Sequence, residues 1–415
     1  GRGERGEAPS AAVHAKIGTQ RTFFVCATSA CNDYVQTTAT ARSVGTHIVI
    51  YLDDAVPPGG YSQADLDDVR QLFDQFLYPI DITAFGHESD IDGNGVVIVL
   101  LTQRVNQLSP NCNATRRVIL GYFFGADLLP RSGMNPGSNE SEIFYGLVPD
   151  PNNLDCDITA AFARAVLPAT FIHEFQHMIS YNHHVLEGNG VAEQTWLNEG
   201  LSHFAEELGG RQVPDMECPS GSCLTDFAIS GDVSNAFEYL SSPENFFLIE
   251  PEDSTGTLEE RGANWLFVRW LADHFATDTI LGTDLTLRLD ETTLLGSANV
   301  EAQTGESFST LVGEWQLANY LDDLPGFAEP TGRLRYKSWN FRAEATAEGR
   351  VYPLVPDSTN GESYSRSGTL RAGSGPHVLV IQDPGASSVD LTLTSPNGTA
   401  VASSVDPRIA LVRVR

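Results

Sequence analysis

The residues best suited to chemistry crowd into one stretch, Phe171-Ile172-His173-Glu174-Phe175-Gln176-His177-Met178-Ile179. It holds H-E-x-x-H within an apolar pattern of helical period. Histidines four apart lie on one face of a helix, one turn apart. Both imidazoles then reach a single zinc ion at about 2.0–2.1 Å. Glu174 sits beside the pair, where a carboxylate can polarise a metal-held water. H-E-x-x-H is short enough to arise by chance in a structural helix, so its flanks must decide. Downstream, Trp196-Leu197-Asn198-Glu199-Gly200-Leu201-Ser202-His203-Phe204-Ala205-Glu206 adds an oxygen ligand, Glu199. Two His and one Glu form a catalytic zinc set with a fourth position left for water. The expected chemistry is amide hydrolysis. Zinc lowers the pKa of water toward about 7 and polarises the scissile carbonyl, while Glu174 serves as general base and then acid.

H-E-x-x-H followed by W-L-N-E-G and a further Glu resembles the gluzincin metallopeptidases. The W-L-N-E-G string is similar to that of the aminopeptidase N family, although the spacer from His177 to Glu199 is longer than is usual there. His-Glu-Phe-Gln-His-Met-Ile, with Phe85-Gly86 and Ser89-Asp90-Ile91-Asp92-Gly93-Asn94-Gly95 upstream, looks more like the hyicolysin family of secreted bacterial metallopeptidases. The likeness covers roughly residues 40 to 340 and is specific at the zinc motif. It implies an α+β, zincin-like fold in which a half with a mixed β-sheet precedes a helical half. It also implies an edge strand that pairs with extended substrate, for which Glu142-Ile143-Phe144-Tyr145 is the candidate. Glu206 would orient a ligating histidine; a solvated helix carboxylate is the plainer alternative.

Gluzincins stabilise the oxyanion with a Tyr or His. Hyicolysin-like and aminopeptidase-like enzymes tend to carry a Tyr shortly before the Gly-Ala of the later helix. This chain has Glu259-Glu260-Arg261-Gly262-Ala263 there. Arg261 as a cation, or Tyr239 from the preceding segment, are the two candidates. His203 and Glu207 read as ordinary helix residues. His183 and His184 read as solvent positions at a helix end, and His47 as a core histidine.

Asp90, Asp92 and Asn94 match the first half of an EF-hand-type calcium loop. The twelfth position, where a bidentate Glu belongs, is Leu101. A plain Asx/Gly turn before a strand is the preferred reading. A structural Ca²⁺ completed from elsewhere in the chain is the other.

The chain has 415 residues, enough for two or three domains and a large core, and a net charge of −29. Such a surface repels phosphate and speaks against a nucleic-acid partner. Six cysteines are present. Cys26 and Cys31 are close in sequence, as are Cys218 and Cys223, leaving Cys112 and Cys156. Three disulfides and an extracellular, oxidising compartment are favoured over zinc thiolates, because no C-x-x-C spacing occurs. No run of about eighteen apolar residues marks a membrane span. The chain starts without Met or a signal-like segment and is read as a mature or trimmed form.

Residues 1–40 read as a lead-in, with a first strand at Phe23–Cys26. Residues 41–344 form the metallopeptidase domain. Strands are expected at 46–52, 96–101, 118–124 and 142–145. A helix from Ser62 should end at Pro79, and Pro168 should open the helix of the zinc motif after a short one at 158–166. Residues 226–256 read as loop, followed by helices at 262–275 and 307–321. From 345 to 415, short alternating runs at 377–381 and 389–394 read as an antiparallel β-sandwich.

The leading expectation is a secreted, monomeric zinc endopeptidase acting on proteins or peptides. No Gly-x-Met-Glu-Asn-type string is present to grip a free N-terminus, so an aminopeptidase is second. A non-catalytic surface-binding protein that keeps the fold is the alternative from a different class; nothing structural would require it to retain Glu174.

Overall fold

Strand burial divides the first sheet into two kinds of strand. β2 (Tyr34–Val44) alternates buried with more exposed residues, as one-sided antiparallel strands do, and β1 (Gln20–Cys26) is exposed at its start and buried at its end. β3 (Ile48–Asp53), β4 (Val97–Leu101) and β6 (Ile143–Gly146) are buried at every position. These three pair in parallel, with Ile50 opposite Val99 and Ile98 opposite Ile143. β5 (Gly121–Phe123) runs antiparallel to β6, and the sheet order is β1-β2-β3-β4-β6-β5. The computed structural model describes residues 15–414 apart from 116, 154–155, 253, 329–331, 361–363 and 383–389.

Two expectations change here. Residues 20–26 and 34–44 are sheet strands, not a lead-in; β2 is Thr- and Ala-rich, so its alternation carries little apolar contrast. The edge strand is β5, because β6 has a partner on each side.

The chain divides into two units. The first runs to Asn189 and takes in Gly209–Phe227; the second comprises Gly190–Leu208 and the chain from Ala228 onward. In the first unit, α1 (Gln63–Leu72) starts with a capping box between Ser62 and Asp65. The helix does not stop at Pro79. Its turn widens into a π-helical segment at Phe73–Leu77, which places Pro79 in the first turn of α2 (Tyr78–Phe85), where proline is tolerated. Short helices α3 (Gln103–Gln107) and α4 (Cys112–Thr115) follow β4.

α5 (Ala160–Tyr181) carries the zinc motif as one continuous helix, capped by Thr159, whose hydroxyl accepts from Phe162 N at 3.1 Å. Pro168 lies inside it instead of opening it. The bond it deletes belongs to the carbonyl of Arg164, an exposed residue whose carbonyl water can serve. Phe171 and Phe175 hold the helix down. Phe171 meets Phe144 of β6 at 5.2 Å, and Phe175 meets Phe73 at 5.3 Å, both edge-on.

The second unit is helical: α6 (Thr195–Gln212, to Leu208 in this unit), α7 (Ser234–Ser241), α8 (Leu258–Phe275), α9 (Thr283–Asp290), α10 (Gly296–Thr304), α11 (Phe308–Leu321) and α12 (Phe341–Ala347). Trp196, Trp265, Trp270 and Trp315 are fully buried in it. The expected loop at 226–256 begins instead with a π-helical run, Thr225–Val233, continued by α7, which buries Phe237 and Tyr239. Beyond 345 the described strands are β7 (Asp357–Thr359) and β8 (Val378–Val380), and they pair in parallel. An antiparallel bridge joins Thr394 to Ala400. Val389 and the Asp383-Pro384-Gly385 turn of the expected sandwich lie outside the described residues.

The fold is therefore mixed α and β, as expected. Disulfides join Cys26 to Cys31, Cys112 to Cys156 and Cys218 to Cys223, with Cα separations of 4.8, 5.0 and 5.2 Å. Among the described residues, no helix is long and apolar enough to cross a membrane.

Candidate metal centre

With Phe171 and Phe175 turned to the core, α5 presents His173 and His177 together. Their Nε2 atoms are 3.1 Å apart, with the rings nearly perpendicular. Two nitrogens bound to one tetrahedral zinc stand about 3.3 Å apart, so the pair fits such an ion without rearrangement. His173 and Glu174 are buried and His177 is half-buried.

β5 approaches this helix closely. A Cβ on Gly121 would stand 2.6 Å from Thr170 Cγ2, 2.7 Å from Tyr145 O and 3.5 Å from Glu174 Cγ. Glycine is what lets the edge strand lie against the turn that carries Glu174. Phe123 then packs edge-on against Tyr181, 5.9 Å between centroids. The composition of this strand gave no sign that its first residue would meet the motif.

In the second unit, packing explains much of W-L-N-E-G. Trp196, Leu197 and Leu201 are buried. Gly200 faces α8 so closely that a Cβ would come within 2.8 Å of Val268 Cγ2 and 2.9 Å of Asn264 O. Glu199 lies on the same helix and pairs with Arg261 Nη1 at 3.1 Å. Arg261 therefore neutralises the carboxylate expected to be a ligand.

One turn on, His203 Nδ1 lies 2.8 Å from Glu206 Oε1 and 2.9 Å from Asp232 Oδ1. Burial pushes the imidazole pKa down, but these two carboxylates outweigh it and hold it at about 9. Glu206 is thus a partner of His203, and His203 is no ordinary surface residue. Asp232 has no motif around it and went unnoticed in the sequence. Glu207, also expected to be unremarkable, is completely buried and accepts from Trp265 Nε1, Trp339 Nε1 and Arg269 Nη1 at 3.1, 2.8 and 3.3 Å.

Tyr239 is buried against Trp315, and its hydroxyl is 2.9 Å from both Ser374 Oγ and Gln316 Nε2. Burial raises its pKa to about 12, so it stays a neutral phenol. His184 is buried, not solvated; burial first and His183 second push its pKa down to about 4.

Around the H-E-x-x-H motif, the described His and Glu side chains grouped as possible metal ligands are His173 and His177 in the first unit, and Glu199, His203 and Glu206 in the second. Over 147 residues the chain is 28% identical to the neutral metalloprotease ShpI of Staphylococcus hyicus. The match covers 34% of this chain and 30% of that protein, so the shared part is under a third of the relative's length. No protein-family model matches the chain. That relative is a metalloprotease, and the described residues of this chain include His/Glu groups able to hold a metal ion.

Proposed function

We propose that this protein is a zinc-dependent endopeptidase of hyicolysin type, with His173, His177 and Glu199 as ligands and Glu174 as general base. The observation that carries the proposal is the His173–His177 pair, whose Nε2 atoms are 3.1 Å apart beside a buried glutamate. Zinc, when bound, supplies Lewis-acid polarisation of the scissile carbonyl and a lowered pKa for the attacking water.

The chain's own residues do the rest. Glu174 accepts the proton of the attacking water and delivers it to the leaving amine. Arg261 fixes the orientation of the Glu199 carboxylate. β5, as a sheet edge against the Glu174 turn, offers backbone groups to an extended peptide. Three disulfides support action outside the cell, on protein or peptide substrates.

The test is casein hydrolysis before and after 1,10-phenanthroline, with zinc added back, beside the Glu174→Gln variant. Chelation should abolish cleavage and zinc restore it. Glu174→Gln should keep about one zinc per chain and lose activity by roughly a thousandfold or more. Chelator-resistant cleavage, or a Glu174→Gln variant as active as wild type, would sink the proposal. Peptides with blocked and free N-termini separate endopeptidase from aminopeptidase action.

A further inference from the structure

Three carboxylates from two separate segments meet at the start of the central strands. Asp90 and Asp92 lie in the loop that enters β4, and Glu142 is the residue before β6. Each offers a carboxylate oxygen, and the three lie within 4.8 Å of one another. The aspartates are exposed, whereas Glu142 is 2% exposed.

Their donors are neutral groups. Glu142 Oε1 accepts from Ser89 Oγ at 2.5 Å and from Ile91 N at 2.8 Å. Asp90 Oδ1 accepts from Gly95 N at 3.0 Å, and Asp92 accepts from Asn94 N and Nδ2. Glu142 Oε2 is buried and has no hydrogen-bond partner. A buried carboxylate oxygen facing two further carboxylates is costly unless something positive joins them.

We propose that Asp90, Asp92 and Glu142 bind a calcium ion. The donor set is all oxygen, which suits a hard cation and disfavours zinc. Oxygens at about 2.4 Å from Ca²⁺ stand at most about 4.8 Å apart, which the three satisfy. The exposed loop leaves room for water to complete the six to eight ligands that Ca²⁺ takes. Asn94 supports the loop: its amide donates to Asp92, and its carbonyl accepts from Val96 N. Glu142 therefore supplies the carboxylate that Leu101 could not.

The ion would stitch together the entries of two neighbouring parallel strands. Ile98 N already donates to Glu142 O at 2.7 Å, and Ile98 pairs with Ile143. β6 in turn carries the edge strand β5. Calcium would thus stiffen the part of the sheet that lies against α5.

The test is calorimetric titration of the zinc-loaded chain with CaCl₂ in calcium-stripped buffer, with melting temperature followed in parallel. Wild type should bind one Ca²⁺ with a Kd below about 1 mM and melt higher when loaded. Glu142→Gln should lose saturable binding. Without calcium it should melt at or above wild type, because repulsion has been relieved; a merely structural glutamate would make it melt lower. Should that variant not fold, Asp92→Asn, at an exposed position, should still weaken binding by about tenfold or more. His173→Ala, which removes a zinc ligand, should leave calcium binding intact, so the outcome is independent of the peptidase proposal. Absence of saturable binding up to about 10 mM, wild-type affinity in Glu142→Gln or Asp92→Asn, or tighter binding of Mg²⁺ than of Ca²⁺ would overturn the assignment.

Discussion

Glu142 and Glu207 are both buried carboxylates, one in each unit, and their charges meet opposite surroundings. Glu207 is answered from within the chain: Arg269 bonds to it and to Asp273, with Trp265 and Trp339 completing its donors. Glu142 has only neutral donors and faces two more acids. Burial and the neighbouring Asp92 charge both work against its ionised form, which the bonds from Ser89 and Ile91 only partly offset. A site that supplies its own arginine is closed. One that gathers carboxylates without a chain cation is arranged for a partner of opposite charge.

That contrast can be broken most forcefully at Arg269. Arg269→Met would leave Glu207 and Asp273 buried without their cation. It should cost about 3–5 kcal/mol by urea denaturation, and calcium should not rescue it. A loss under about 1 kcal/mol would mean that the arginine is not what balances these acids.

Buried histidines offer the next test, since the same two solutions recur. His203 stays charged between Glu206 and Asp232, whereas His184 stays neutral. The unfolded His184 titrates near 6.5 and the folded one near 4. Between these values only the unfolded chain takes up the proton. The stability it contributes is therefore complete above pH 6.5 and lost as pH falls toward 4, by about 3 kcal/mol at most. Urea midpoints measured against pH should fall along this limb in wild type, and less steeply in His184→Gln. Equal slopes would show that the histidine is not kept neutral.

The smallest effect belongs to Tyr239. Its hydroxyl bonds to Ser374 and Gln316, so Tyr239→Phe should cost about 1 kcal/mol and change kcat by no more than about twofold. A hundredfold fall in kcat at unchanged KM would instead put that hydroxyl in the transition state.

These tests rest on residues of uneven legibility. The His173–His177 pair could be read directly, because a fixed helical spacing does the positioning and Phe171 and Phe175 mark the buried side. The continuous strands β3 and β4 could be read because full burial leaves unbroken apolar runs. β2 could not, since threonine and alanine alternate there without strong contrast. Pro79 and Pro168 misled for a shared reason: a π-turn precedes one, and the residue four before the other, Arg164, is exposed, so each site lowers the usual cost of proline in a helix. Glu142 was recognised only as part of a strand. What brings it to Asp90 and Asp92 is the register of β4 on β6, a property of the sheet that neither segment carries alone. Asp232 and Glu207 were missed likewise, because their partners lie far off in sequence.

The Cys112–Cys156 bridge has a consequence for how the chain withstands proteolysis. It spans β5, β6, Glu142 and the loop around Met134, which is 98% exposed. A nick anywhere between residues 113 and 155 opens the backbone yet leaves both pieces joined through sulfur. A molecule cut there stays in one piece under oxidising conditions and falls into two only when reduced.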